Sequence, residues 1–600
     1  MGKRTADLIL IFIVLILGAI VCLNSLLGTF IWDDVPLIVT NLHIRDIGYI
    51  PRLFLENIYH QDMMGRFYRP VLMAAFALDY KSWGLDPFGY HFTNVLIHLA
   101  NAVLVFNIIL LLFGRRPLAF LTAVFFVLHP VQTEAVTYIS GRADPLSAFF
   151  CLVSFMFFIE HFGRKDRFKR LYYAASVLFF IFGLLTKEIT AFLPFIFILY
   201  EACFGKFRLK TLYKYIPLAA VLCVYAFVRH IALLNVKDVS IVSDFSPLFS
   251  RLLTIPSVVV TYFKILLFPV GLHMERSDFL LDPVVSFLDP RFLISSIFLI
   301  TFGVVIWLIR RRSKPVFFGF LWFVLSLLPV LNIRPINAFV AEHWLYFPSI
   351  GFFLAASAVF LGALNLKPLR PYIISFLIVI CALLGTLTIR QNYVWRDPVI
   401  FYKYTLRFSP QSARVHTNLG VAYSNLKLYK EAEKEYLEAI RLDPFSRHTF
   451  YHYLNLGALY DAMGKENKAL ITYEKAIAIN SNLPLAYRFM GNICYRRGKY
   501  QEAIKFYKKA TELTPTNAYF WNDLGNAYLK VKRYREAAAA FERSLKIYPY
   551  FAEANYNLGN LYAAHGDFNT ARTLWKKVLK IDPNYTDAKK KLDEPKKPAR

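Results

Sequence analysis

The 600 residues are 57% hydrophobic and 17% aromatic, with 57 phenylalanines and only 18% charged side chains, where a water-soluble domain carries about 25% charge. This excludes an ordinary cytosolic enzyme, and equally a disordered chain, which would be polar. The formal net charge of +28 would suit nucleic acid. However, zinc-finger spacing is absent, as is any continuous basic stripe interleaved with aromatics, so that class is set aside.

The average conceals two halves. Residues 1–400 hold 35 Lys+Arg and 22 Asp+Glu, whereas residues 401–600 hold 34 and 19 in half the length. The first part reads as a lipid-solvated body and the second as a water-solvated domain. The six cysteines form no CxxC pair, and five lie in apolar runs; they read as small buried hydrophobes rather than metal ligands or disulfides.

Met1-Gly-Lys-Arg4 precedes an apolar run from Leu8 to Leu27. At about 20 residues it is long enough to span a bilayer, and no small-residue cleavage site follows, so it reads as a retained first helix. Further spans are expected at 90–113, 117–135, 145–162, 171–187, 188–204, 215–234, 291–309, 316–331, 344–363 and 372–389. The run at 251–269 holds Pro256 and Lys264. Basic clusters lie at Lys3/Arg4, Arg115/Arg116, Arg164–Arg170, Lys206–Lys214, Arg310–Lys314 and Lys367/Arg370. They fall in alternate loops if Met1 is cytoplasmic and 251–269 lies along the outer interface or re-enters, which is the positive-inside pattern. The expectation is eleven spans, with the C-terminal domain outside the cytoplasm.

The same parity places Trp32-Asp33-Asp34, the loop to about residue 89, His129–Glu134, Gly141–Asp144, Thr186–Glu188 and Asn332–His343 on the exterior side. Charged groups at a membrane edge are costly unless paired or facing water, so their gathering on one face predicts a polar cavity there.

From about Trp395 the period changes. Leu419-Gly420, Leu456-Gly457, Met490-Gly491, Leu524-Gly525 and Leu558-Gly559 recur at spacings of 37, 34, 34 and 34. Ala432/Tyr436, Ala469/Tyr473, Ala503/Tyr507, Ala537/Phe541 and Ala571/Trp575 follow in step, and Pro444, Pro515, Pro549 and Pro583 close repeats. This is the tetratricopeptide signature: glycine lets two helices approach, the aromatic fills the gap, and proline ends the second helix. The second repeat has Ser481 in place of proline and three extra residues near Arg447–Tyr451, and the third has Cys494 in place of tyrosine; these predict local loosening. The expected fold class is therefore all-α, a polytopic helix bundle over 1–394 followed by a repeat superhelix over 395–585. Residues 395–410 act as a leading half repeat, and 586–600 form a basic tail. Such a superhelix offers a face for a partner or substrate protein, and its net excess of 15 positive charges favours an acidic partner or the membrane surface.

Asp33-Asp34 stands just beyond the first span. Two adjacent carboxylates raise one pKa, which suits a general base; the same pair could equally cap the next helix. Here the chain resembles a known family. Phe30-Ile-Trp-Asp-Asp34, Tyr68-Arg-Pro70, Gly89–Asn94 with His98, His129–Glu134, Gly141–Asp144, Thr186–Glu188 and Ala341–Gly351, in this order and ahead of exterior repeats, are similar to the transmembrane and tetratricopeptide-repeat O-mannosyltransferases and, more broadly, to C-type glycosyltransferases. His343 departs from the arginine expected after Glu342. The resemblance implies inverting transfer of a sugar, mannose among the candidates, from a polyprenyl or dolichyl phosphate. The acceptor is a Ser or Thr hydroxyl of a protein or another envelope molecule. The lipid-linked sugar is the co-substrate, and no cofactor beyond it is called for.

For that chemistry Asp33 or Asp34 would take the hydroxyl proton. Arg66, Arg69, Arg142, Lys187, Arg334 and His343 are the candidates to hold the leaving phosphate. Glu134, Asp144, Glu188 and Glu342 could orient those cations or bind sugar hydroxyls, and Tyr346 could stack on the sugar. Each cation could instead be an ion-paired anchor. His91 and His98 read as helix packing, since no tight metal-ligand spacing occurs; no metal is expected. The absence of a P-loop or GxGxxG argues against nucleotide chemistry. The rival readings are a non-enzymatic scaffold gathering envelope proteins and a lipid or glycan transporter. The short loops favour a bacterial inner membrane with periplasmic repeats; in a eukaryote the same orientation places the repeats in the endoplasmic reticulum lumen.

Overall fold

The computed structural model describes residues 3–55, 57, 67–163, 167–205, 209–234, 247–276, 283–333, 338–446 and 448–593, apart from the side chains of 3 and 209–211. Arg66, Arg334, Arg447 and the tail from 594 lie outside the described residues. The described chain is helical without strands and divides into two compact units, Met1–Pro410 and Gln411–Arg600.

In the first unit, local sequence sets many helix starts. Asp-Pro opens three of them: Asp86, Asp289 and Asp397 accept backbone N–H bonds from Phe88, Arg291 and Val399, while the following proline occupies the first helical position, where no N–H is needed. Gly114 ends the helix Pro87–Phe113 at φ 65°, a conformation that favours glycine. The core is aromatic: Phe106, Phe126, Phe155, Phe197 and Phe318 are fully buried, and Phe158 stacks on Phe197 at 4.0 Å. Gly319 and Gly351 meet backbone to backbone, so the helices Lys314–Leu327 and Pro348–Ala363 pack in close contact.

Among the described residues, eight helices are long and apolar enough to cross a membrane. Seven match the expected spans that begin at 8, 90, 145, 171, 215, 291 and 372. The span expected at 117–135 is bent by 56° where Arg116–Leu128 meets Pro130–Val136; His129-Pro130 interrupts the backbone ladder there. Lys314–Val330 and Pro348–Ala363 are shorter apolar helices. The segment 188–204 has only a tight turn, Glu188–Phe192, and the helix Leu193–Phe204. In Leu212–Ala232 only 6% of the apolar window is buried, which fits a surface solvated by lipid.

The eighth long helix is Leu248–Leu267. At its start Ser250 donates to the carbonyl of Val284 at 2.6 Å and Arg251 to that of Ile333 at 3.0 Å. At its end the Leu266 carbonyl is 3.0 Å from His129 Nε2, and just beyond, the Leu272 carbonyl accepts from Gln391. Val284 and Ile333 flank the pair Pro290–Ile309 and Lys314–Leu327, whose far ends share the turn at 310–313. Between these ends it packs along Pro290–Ile309, with Ser257 donating to the Arg291 carbonyl at 3.2 Å and Phe263 5.3 Å from Phe302, so the run expected at the interface is a helix long and apolar enough to cross.

The segment 395–410, expected to open the repeats, packs with the first unit. Trp395 stacks on Tyr138 at 5.3 Å and lies 4.4 Å from Phe401, which meets Trp32. The boundary therefore falls at 410 rather than 394, because these aromatics have no repeat partner and find one beside the first loop.

In the second unit five helix pairs run from Ala413 to Ile581, closed by a last helix, Thr586–Asp593. A Cβ on Gly420, Gly457, Gly491 or Gly525 would stand 2.6 Å from the ring of Tyr436, Tyr473, Tyr507 or Phe541, and one on Gly559 would stand 2.7 Å from Trp575. The second repeat packs as tightly as its neighbours despite its insertion, which is absorbed before helix Thr449–Ala462 by Thr449 donating to the Asp443 and Ser446 carbonyls. Gly525→Val should lower the thermal midpoint of the solubilised chain, at a cost of about 1–3 kcal/mol from overpacking. Gly303→Ala, whose new Cβ meets nothing within 4 Å, should leave it unchanged; equal midpoints for both variants would refute the packing argument.

Candidate functional site

The loops that parity assigned to one side do meet. Thr29 N–H donates to the Arg396 carbonyl at 3.1 Å and Thr137 to Asn392 at 2.6 Å, gathering the first loop, the 137–144 turn and the end of the last membrane helix.

Within this layer the twin acids take different positions. The turn Ile31–Val35 is closed by Asp34 N–H donating to the Ile31 carbonyl, and Trp32 sits at φ 54°, which is costly outside glycine. Asp34 is 1% exposed. One oxygen accepts from Ile31 N–H at 2.8 Å; the other accepts from Ser140 N–H at 2.8 Å and Ser140 Oγ at 2.5 Å. Burial pushes its carboxyl up to about 7, against the pull of these donors. Asp33 is partly exposed, and its N–H donates to Tyr138 Oη at 3.1 Å.

Each of the four predicted cations among the described residues meets a carboxylate. Arg69 grips Glu188 bidentately at 3.0 and 2.7 Å. Lys187 pairs with Asp144 at 2.6 Å. His343 Nδ1 lies 2.8 Å from Glu134, whose second oxygen accepts the His343 N–H. Next to this pair, Glu342 accepts from Arg276 and from His273 N–H. Glu342 is raised by burial, opposed by Arg276 and reinforced by Glu134. Arg69 and His343 retain 16% and 25% exposure, Lys187 only 7%.

Two expectations are corrected. Arg142 is wholly enclosed and cannot reach a phosphate in this arrangement: it pairs with Asp79 at 2.6 Å, donates to Asn94 and the Tyr90 carbonyl, and lies over the Phe76 ring. The turn Ile139–Arg142 drives it into the bundle, where Asp79 compensates its charge. Tyr346 is also buried, its hydroxyl held by His98 at 2.8 Å and Asn101 at 3.1 Å, so its ring packs the core instead of facing a sugar. Arg66 and Arg334 lie outside the described residues. Sequence reasoning missed Arg276, Asp79 and the aromatics Trp395 and Phe401; Arg276 offered only a lone charge in a loop, while Asp79 lies inside a plain helical pattern.

Beside Asp144 lies a small crevice of about 20 Å³. Asp144, Ser147 and Cys151 line one wall from a single helix face, while Phe192, Trp344 and Phe347 line others. Among the described residues no group of three His, Cys, Asp or Glu is arranged to hold a metal ion.

Asp34 gives a pH signature. Its folded pKa lies above the ordinary carboxylate value of 3.8, so the folded chain binds more protons and its contribution to stability falls as pH rises from about 4 through 7. Thermal midpoints measured from pH 5 to 8 should decline, and Asp34→Asn should flatten part of that slope. An unchanged slope in the variant would contradict the buried titration.

Comparison with known proteins adds the lineage. Family models described as tetratricopeptide repeat match residues 411–482 and 522–586, and one described as TPR repeat matches 491–532. Protein O-mannosyl-transferase F38B6.6 of Caenorhabditis elegans is 26% identical over 447 residues, covering 72% of this chain and 63% of the relative. Protein O-mannosyl-transferase TMTC3 of Mus musculus is 25% identical over 489 residues, covering 75% and 52%. The chain therefore spans between about half and under two thirds of the length of these relatives. The solved structure of MamA is 23% identical, covering 28% of this chain and 97% of that one with a TM-score of 0.26. A bundle of apolar membrane helices joined to tetratricopeptide repeats is thus similar, over some three quarters of its length, to the protein O-mannosyl-transferases of the TMTC type.

Proposed function

We propose that the chain is a membrane glycosyltransferase that moves a sugar from a polyprenyl or dolichyl phosphate to a Ser or Thr hydroxyl of a protein, with mannose as the sugar that the relatives' names suggest. The observation that carries this reading is the layer in which a pinned, partly exposed Asp33 shares one face with the ion pairs Arg69–Glu188 and Lys187–Asp144. A lipid-phosphate donor requires such a layer: the prenyl chain takes apolar contacts and the phosphate takes cationic ones.

Asp33 is the base in this reading, because it is partly exposed, whereas Asp34 is 1% exposed with a donor on each oxygen. As the acceptor hydroxyl attacks the anomeric carbon, its proton passes to the Asp33 carboxylate. The bond from that carbon to the phosphate oxygen breaks, configuration inverts, and the lipid phosphate leaves as an anion without needing a general acid. Among the described candidates Arg69, His343 and Lys187 keep some exposure, and Arg276, paired with Glu342, joins them. Each stays oriented by its carboxylate while offering its remaining N–H groups. The repeat unit presents the acceptor.

In membranes supplied with polyprenyl- or dolichyl-phosphate mannose and a Ser/Thr peptide, the wild-type chain should transfer mannose. Asp33→Asn should reduce the rate by about 10²-fold or more at unchanged abundance. A wild-type chain inert with both donors would overturn the reading, and an active Asp33→Asn would overturn the base.

The orientation that places this layer and the repeats outside the cytoplasm rests on the alternating basic clusters. Lys530 is exposed on the repeat unit. Lys530→Cys should therefore react with a membrane-impermeant thiol reagent in sealed spheroplasts or, for a eukaryotic host, in vesicles with the luminal face outward. Reaction only after permeabilisation would invert the assignment.

A further inference from the structure

We propose that Tyr138 is a positioning residue that sets the direction of the Asp33 carboxylate, and that Trp395 fixes Tyr138 in turn. This rests on the reading of Asp33 as the base.

The argument starts from strain. A non-glycine residue in the left-handed region, Trp32 at φ 54°, is strained and persists only where its surroundings over-determine it. The turn's own bonds, Asp34 N–H to the Ile31 carbonyl at 3.0 Å, Val35 N–H to the Trp32 carbonyl at 3.2 Å and Ile31 N–H to the Asp34 carboxylate at 2.8 Å, are local. A further grip comes from one short segment more than a hundred residues away. Ser140 clamps the Asp34 carboxylate with two donors, and Tyr138 Oη accepts the Asp33 N–H. The Ser140 clamp holds the buried side of the turn. The Tyr138 bond fixes the peptide between Trp32 and Asp33, and with it the angle at which the exposed carboxylate leaves the backbone.

Tyr138 is itself held. It is 7% exposed, and its ring stacks on Trp395 at 5.3 Å and 23°. Trp395 packs on Phe401 at 4.4 Å, and Phe401 meets Trp32 edge-on at 6.4 Å. Trp32, Phe401, Trp395, Tyr138 and Asp33 therefore form a closed circuit that begins and ends on the strained dipeptide. The end of the last membrane helix thus helps aim the acid that follows the first. Small misplacements of a reacting group cost disproportionately in rate, so the circuit bears on turnover more than on binding.

Tyr138→Phe tests this, because it keeps the ring on Trp395 and removes only the hydroxyl. In the full chain in membranes, kcat should fall about tenfold, the worth of one hydrogen bond at about 1.4 kcal/mol, with KM for donor and acceptor unchanged within about twofold. A second arm needs no transferase activity. In Asp33→Cys, labelling at position 33 by a soluble maleimide, mapped by mass spectrometry, should quicken severalfold when Tyr138→Phe is added. An unchanged kcat, a loss of thermal midpoint with kcat and KM changing together, or an unchanged labelling rate would overturn the proposal. Wild-type chain without transferase activity, alongside faster labelling in the double variant, would instead refute the functional reading and leave the clamp standing.

Discussion

A charge at the edge of a lipid-solvated bundle must find an opposite charge or water. In this chain Arg69–Glu188, Lys187–Asp144, Arg276–Glu342, His343–Glu134 and Arg142–Asp79 make the pairing solution the organising feature of one face. Each pair joins segments distant in sequence, so together they stitch the loops into a layer. Removing one member would strand its partner in low dielectric, which is far more costly than the pair is stabilising. The layer is therefore a scaffold first, and any chemistry proceeds on groups already aimed by their partners.

That constraint sorts the charges by accessibility. Arg142 and Asp79 sit deep and act as a rivet between helices, with the guanidinium over Phe76 at 4.7 Å. Arg69 and His343 keep partial exposure while anchored, the condition for a preorganised donor that does not reorganise when an anion arrives. The twin acids divide in the same way. Asp34 spends its oxygens on three donors and holds the turn, whereas Asp33 is partly exposed and fixed by its backbone.

The two units solve the burial problem in opposite solvents. The first unit hides its polar groups in one layer and leaves apolar side chains such as Ile294 and Ile297 outward. The second leaves its charges outward and closes each helix pair with a ring set against a glycine. The repeat contact recurs because it is local: two helices separated by a short turn bring the same two positions together each time.

Locality also separates what the residues alone determine from what the fold decides. The apolar runs, the alternation of basic loops, the Asp-Pro helix starts and the glycine–aromatic spacing were legible, because each depends on neighbours within a turn or two or on the bulk preference of side chains for lipid. The choice of partners was not. Arg69 meets Glu188 across 119 residues and His343 meets Glu134 across 209, and nothing near either residue specifies the match. For the same reason Tyr346 and Arg142, polar residues in a polar stretch, could be read as facing a ligand until packing placed them inside. Residues 395–410 resembled the start of a repeat until their aromatics found Trp32 and Tyr138. The sequence by itself determined which segments seek lipid, which seek water and which pair locally; only tertiary structure decided which charges neutralise one another, because that energy depends on distances set by the whole bundle.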